Sequence, residues 1–209
     1  MPKIDSAPQP PARVFQFIGG ALCLDFCNTV GGKRGGIPRE FLDSYSEFIS
    51  WARQAGLITD NQVAELLRKA NRRGQEAVDV LTRATELREA VYRIFLDRSH
   101  GKSPRPADLA ILNAELSRLL PRLQITSNSA GCDWMWTDAE ALDFPLGPIA
   151  HSAADLVTSH SKPQLHQCEG DNCGWLFLDS SKNHSRRWCA MRDCGNRAKV
   201  RRHRRKAAR

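Results

Sequence analysis

Four cysteines near the end of the chain constrain its fold more than any other feature. They form two pairs, Cys168-x4-Cys173 and Cys189-x4-Cys194, separated by fifteen residues. Four thiolates gathered into a tetrahedron are the donor set that Zn2+ takes in closed structural sites. In a reducing compartment such paired spacing favours metal over disulfides. A segment this short holds too few apolar residues to bury a core of its own. Zinc supplies the deficit, since structural sites in finger peptides are worth roughly 10–16 kcal/mol at neutral pH. The spacing predicts a knuckle at the first pair and a hairpin between the pairs. Trp175 to Leu178 forms one strand, Asp179 to Asn183 the turn, and Ser185 to Trp188 the return strand. Cys194 then opens a helix capped by Asp193, where the helix N-terminus favours a thiolate. Knuckle, hairpin and ligand-bearing helix describe a treble-clef-like finger. His166 and His184 lie close by in sequence, but four sulfurs complete the site without them.

Charge is distributed as unevenly as cysteine. Of the chain's 31 Lys/Arg, twelve lie between Lys182 and Arg209 beside a single acid, Asp193, a net of +11. The remaining 181 residues carry 19 basic and 22 acidic side chains, a net of −3. A nearly neutral body with a concentrated cationic tail calls for a polyanionic partner at the tail. Membrane headgroups are a poor fit, because the tail has no Leu/Phe/Trp face to insert. No apolar run approaches the length of a membrane span. The N-terminus, Pro-rich at positions 2, 8, 10 and 11, lacks the apolar core of a secretory signal. These features read as a cytoplasmic protein with a disordered leader over 1–12.

The body, residues 13–162, reads as mainly helical with a small β element, an α+β chain overall. Val14 to Val30 is an apolar segment interrupted by Gly19 and Gly20, in which periodicity does not choose between strand and helix. Asp43 or Ser44 caps a helix carrying Tyr45, Phe48, Ile49, Trp51 and Ala52, which Gly56 ends. Thr59 or Asp60 opens a second, and longer helices run from Glu76 to about Arg98 and from Asp108 to Leu120. Residues 124–140 suit two short strands around a Ser/Asn/Gly turn, with one of Trp134 and Trp136 facing the core and the other solvent. Ala150 to Ser159 is a last helix, and Lys162-Pro163 is a linker to the finger at 163–209. Cys23 and Cys27 read as buried small hydrophobes. Asp25 and Asn28 are polar within an apolar run, so they either brace the fold or line a ligand pocket.

Arg187-Trp188-Cys189 followed by Cys194-Gly195-Asn196-Arg197 resembles the CGNR zinc finger of bacterial proteins. Cys173-Gly174, Phe177, Asp179 and Asn183 also sit where that finger's pattern expects them. Upstream, Leu24-Asp25-Phe26-Cys27-Asn28-Thr29 resembles the opening motif of the ABATE domain that usually precedes the finger. Together the two resemblances span nearly all of the chain after residue 12. They imply a transcription regulator, stress-related, whose finger contacts DNA.

Electrostatics independently favour nucleic acid. Arg186, Arg187 and Arg192 flank the metal site, and with Asn196 and Arg197 they are candidates for reading base edges. Asn196 has a local alternative, a hydrogen bond to the knuckle backbone. Lys199, Arg201, Arg202, Arg204 and Arg205 suit phosphate contacts that position the module. Like charges at i, i+4 predict that the helix frays beyond about Val200 until a polyanion binds. The expected partners are therefore DNA, a small-molecule effector for the body, and a second copy of the chain. Two other readings stay open: an RNA-binding finger stacking bases on Trp175 or Trp188, and an enzyme whose pocket holds Asp25 and Asn28.

Overall fold

In a computed structural model, residues 13–129, 131–159 and 164–207 are described. The leader over 1–12 and the linker at Lys162-Pro163 lie outside these residues. More than half of the chain is helical, with small antiparallel sheets, as the α+β, mainly α reading expects. The helices are α1 (Leu22–Cys27), α2 (Tyr45–Gln54), α3 (Asp60–Arg72), α4 (Gly74–Ser99), α5 (Pro106–Leu119), α6 (Leu146–Thr158) and α7 (Asn196–Ala207). Among the described residues three two-stranded sheets accompany them: β1 (Val30–Gly31) with β2 (Arg39–Glu40), β3 (Leu123–Asn128) with β4 (Gly131–Trp136), and β5 (Leu165–Gln167) with β6 (Leu176–Leu178).

The helix boundaries follow local chemistry. Ser44 caps α2 by accepting from the Glu47 N–H, and Thr59 with Gln62 closes a reciprocal capping box on α3. Gly56, at φ +75°, ends α2. The Leu57 N–H reaches back to the Ala52 carbonyl and the Gly56 N–H to that of Arg53, the paired bonds of a Schellman turn. Helix α6 starts four residues before the expected Ala150. Its Pro148 lies in the first turn, where a missing N–H costs nothing, so it does not break the helix.

Helix α4, 26 residues long, is the central post. Around it pack α1, α2, α3, α5, α6 and the β5–β6 hairpin. Phe26, Phe48 and Trp51 form an aromatic nest between α1 and α2, and Leu87, Val91, Ile94 and Phe95 of α4 are fully buried beside it. Arg88 and Asp143, both buried in this core, are paired. Arg88, its side chain only 4% exposed, grips both oxygens of Glu40 at 2.7 Å and also reaches Glu89. Arg83 and Arg122 converge on Asp143.

The β3–β4 hairpin forms where the sequence places it, and its two tryptophans divide as expected. Leu123 pairs with Trp136 and Ile125 with Trp134, so both pairs share one face of the hairpin. At the base, Trp136 packs against His151 and so close to Gly147 that a Cβ there would lie 2.7 Å from the indole. Further along, Trp134 and Ile125 are more than 60% exposed.

The expected hairpin inside the finger is not formed. Strand β6 is present, but it pairs with β5, in the register Leu165↔Leu178 and Gln167↔Leu176, rather than with residues 185–188. The reason is that both edges of β6 are already taken. On the side away from β5, the Leu178 N–H donates to the Gly19 carbonyl at 2.8 Å. Next to it, the Asn28 carboxamide donates to the Leu176 carbonyl at 2.9 Å and accepts from its N–H at 3.0 Å. One side chain thus substitutes for a third strand. Residues 179–186 instead close a loop on the Asp179 carboxylate, which accepts from the N–H groups of Ser181 and Arg186, both at 2.8 Å. Donation from Ser181, then from Arg186, pulls this carboxyl down to about 2. The knuckle and the ligand at the entry to α7 match the expected layout; the hairpin wraps the first pair instead of joining the two.

Candidate metal centre and nucleic-acid interface

The sulfurs of Cys168, Cys173, Cys189 and Cys194 all lie within 4.8 Å of one another. Cys173 and Cys194 are each 3.7 Å from Cys189. Two sulfurs bound at 2.3 Å to a tetrahedral ion lie about 3.8 Å apart, so the spacing is that of a single coordinated metal. Cys168 and Cys173 come from the turn between β5 and β6. Cys189 and Cys194 come from a one-turn π-helix, Met191–Gly195, and the residue two before it. Cys194 precedes α7 by two residues, and Asp193 lies within the π-turn rather than capping α7 as expected.

The site is prepared for anionic sulfur. Backbone N–H groups of Gly170 and Cys189 point at the Cys168 sulfur at 3.4 and 3.3 Å, and Arg197 donates to that of Cys194 at 3.7 Å. Gly170 is required by closeness: a Cβ there would stand 3.0 Å from the Cys194 sulfur. Without a cation the four thiols cannot ionise together. Hydrogen bonds from Cys173 and Cys189 hold Cys168 down at about 2. Its partners are raised in return, Cys173 to about 12 by its bond to Cys168, Cys189 by its own bond to Cys168, and Cys194 by burial and the neighbouring charge. A divalent cation resolves this conflict. Neither His166, which stacks on Phe177, nor His184, bonded to the Asp179 carbonyl, belongs to the cluster. Cys23 and Cys27 are fully buried, burial pushing Cys23 up to about 12 and Cys27 upward as well, as fits small core hydrophobes.

The basic residues separate into two groups. Arg186 is turned inward: its guanidinium lies over the Phe177 ring at 4.3 Å, donates to the Trp188 carbonyl at 3.0 Å and also reaches the Cys189 carbonyl. It ties the second ligand loop to β6. Asn196 donates to the Arg192 carbonyl at 3.0 Å, the local bond weighed for it above. Arg187 pairs with Glu169, and Arg201 with Asp171, so one knuckle acid holds the loop before Cys189 and the other holds α7. Lys199, Arg202, Arg204 and Arg205 are exposed and, among the described residues, have no acidic partner. Arg192 is exposed too, with only Asp193 near it, at 3.8 Å. Helix α7 continues through Ala207, well beyond Val200.

Asp25 and Asn28 brace the fold through backbone bonds and also face a cavity. The Asp25 carboxylate accepts from the Gly19 N–H at 2.7 Å; burial raises it to about 6 against the pull of that bond and of Ile18. Both residues also line a cavity of about 260 Å³ between the segment 13–16, α1, β2 and Trp175. Several contacts that join body and finger carried no sequence signal. The Trp175 indole donates to the Val30 carbonyl at 2.8 Å, and the Tyr92 hydroxyl donates to the Gly174 carbonyl at 3.0 Å. Arg34, in the glycine-rich loop, stacks on the Tyr92 ring at 3.6 Å and pairs with Glu89.

Asn28→Ala tests this seam. It would leave the buried Leu176 N–H and carbonyl without partners, at about 1–3 kcal/mol each. The expected result is a loss of about 2–5 kcal/mol in denaturant unfolding, with the zinc content of the folded protein unchanged. A loss below about 0.5 kcal/mol would mean that the carboxamide is not the third strand of β6.

A family model described as a putative stress-induced transcription regulator, ABATE, matches residues 20–160. A second, the CGNR zinc finger, matches residues 164–207. Comparison with curated proteins gives no match. With four sulfurs at coordination distance inside the matched finger, the centre binds one structural zinc ion. No helix among the described residues is long and apolar enough to cross a membrane. The chain belongs to the ABATE family of putative stress-induced transcription regulators, and its C-terminus is a CGNR zinc finger.

Proposed function

We propose that the protein is a cytoplasmic DNA-binding regulator in which the zinc centre fixes the origin of α7 and α7 carries the charge that holds DNA. The observation that supports this most directly is the cluster of exposed cations on α7, Lys199, Arg202, Arg204 and Arg205, without acidic partners among the described residues. Unpaired like charges on one short helix are mutually repulsive, and a polyanion reverses the sign of that cost. Arg187, Arg192 and Arg197, held close to the metal, are the residues placed to read base edges. Arg186 and Asn196 serve the finger's own backbone, and Arg201, anchored to Asp171, orients the helix.

A regulatory body fits better than an enzymatic one, because Asn28 spends both polar atoms of its carboxamide on the Leu176 backbone. Bases stacked on Trp175 fit less well, because its indole is committed to Val30. Selection of bound fragments from a random duplex library by the zinc-loaded protein tests the proposal. An enriched motif is expected, and a palindromic one would mark binding as a homodimer, since two-fold sites mirror two-fold proteins. Retention without any motif, or preference for single strands, would contradict sequence-specific regulation.

A further inference from the structure

The cavity of about 260 Å³ holds an unusual set of charges. Its walls are aromatic: Phe15, Phe41, Trp51 and Trp175. On one side stands the Asp25 carboxylate, bonded to backbone N–H groups but to no cation among the described residues. On another stands Arg39, whose guanidinium lies 5.6 Å above the Phe41 ring and meets no carboxylate among the described residues. The second arginine at the cavity, Arg13, is already accounted for by Asp43 and the Glu40 carbonyl. A carboxylate and a guanidinium that line one space yet do not pair leave two opposite charges to be met from within it. Asp25 is partly buried, and partly buried charge without a counter-ion is costly, so a ligand with a matching charge removes that cost; the exposed Arg39 adds the opposite charge on the same space.

We infer that this cavity is a binding site for a small zwitterion, an amine and a carboxylate flanking an apolar or aromatic group. The amine meets Asp25, the carboxylate meets Arg39, and the apolar portion lies among the four rings, which also favour a cation by their π faces. Size sets the class. An engineered cavity of about 150 Å³ accommodates benzene, so this one takes roughly ten to twelve non-hydrogen atoms, the size of an aromatic amino acid. Burial has raised Asp25 to about 6, so near neutral pH it is ionised and able to hold an ammonium. The site also lies against the finger. Trp175 is two residues after Cys173, and Asn28 bonds the Leu176 backbone. A ligand here therefore touches the seam through which the body positions the zinc centre. The inference gives a chemical class to the effector of the regulator proposed above, and its test contains no nucleic acid, so the two readings fail separately.

The test titrates the zinc-loaded full chain with L-phenylalanine, phenethylamine and 3-phenylpropionate, which share a ring and differ only in charge. Tryptophan fluorescence and calorimetry both report binding. Phenylalanine should bind about ten-fold more tightly than either singly charged analogue, a difference of about 1.4 kcal/mol. In Asp25→Asn, phenylalanine and phenethylamine weaken about ten-fold while 3-phenylpropionate is unaffected. In Arg39→Gln, an exposed position whose substitution leaves the fold intact, phenylalanine and 3-phenylpropionate weaken instead. No binding of any probe up to roughly 10 mM, equal binding of all three, or an unchanged order in Arg39→Gln would overturn the assignment.

Discussion

Removal of zinc is expected to abolish DNA binding and to destabilise the helical body as well as the finger. The first effect follows from the size of the metal term, roughly 10–16 kcal/mol in structural sites, against a segment with almost no core of its own. The second follows from how the finger is seated. Leu165 and Leu176 of the β5–β6 hairpin belong to the main hydrophobic core, not to the small cluster around the sulfurs. If the knuckle opens, those two side chains are exposed at about 1.5–3 kcal/mol each. The bonds from Asn28, Tyr92 and Trp175 lose their partners at the same time. For a chain of this length about 3–6 kcal/mol corresponds to a fall in Tm on the order of 10 °C. Thermal unfolding followed by circular dichroism, with and without a chelator, measures it, and Cys189→Ser should behave like the chelated protein. A body that melts at the same temperature in both conditions would show that the finger is an independent appendage.

The second large effect concerns charge alone. Replacing Lys199, Arg202, Arg204 and Arg205 together by Gln should cost about a thousand-fold in DNA affinity near 0.15 M salt. It should also flatten the dependence of log K on log salt by about 3.6. These side chains are exposed and without acidic partners, so the fold should be untouched. Stability should even rise slightly, because the i, i+4 repulsions Arg201/Arg205 and Arg202/Lys206 disappear, each worth roughly 0.2–0.5 kcal/mol. Arg186→Gln is the informative contrast. It strips donors from the carbonyls of Trp188 and Cys189, so it should lower finger stability rather than the salt slope. A quadruple variant with unchanged affinity and slope would remove α7 from the interface.

The parts of the molecule legible in the sequence were those specified locally. The cysteine spacing gave the four sulfurs, Ser44 and Thr59 gave helix starts, Gly56 gave a helix end, and 3.6-residue periodicity gave the central helix α4. The partner of β6 was not legible. A three-residue strand at Leu165–Gln167 is too short to show alternation, and the other edge of β6 is occupied by Asn28, 148 residues earlier. The same distance concealed the cavity, whose walls come from the segment before α1, from α1, from β2, from α2 and from the finger. Asp25 and Asn28 were visible as polar residues in an apolar run. Which backbone groups they brace, and that they line a cavity, depended on residues that no local window contains. Arg186 was read as a displayed charge because sequence spacing does not say that its guanidinium turns back onto Phe177.

The claim beneath all of this is that four sulfurs share one ion and thereby fix where α7 begins. X-ray absorption at the zinc edge of the purified native protein, with metal analysis of the same sample, tests it directly. The account predicts one zinc per chain and a first shell of four sulfurs at about 2.3 Å. Substoichiometric metal, or a shell containing nitrogen or oxygen, would contradict it.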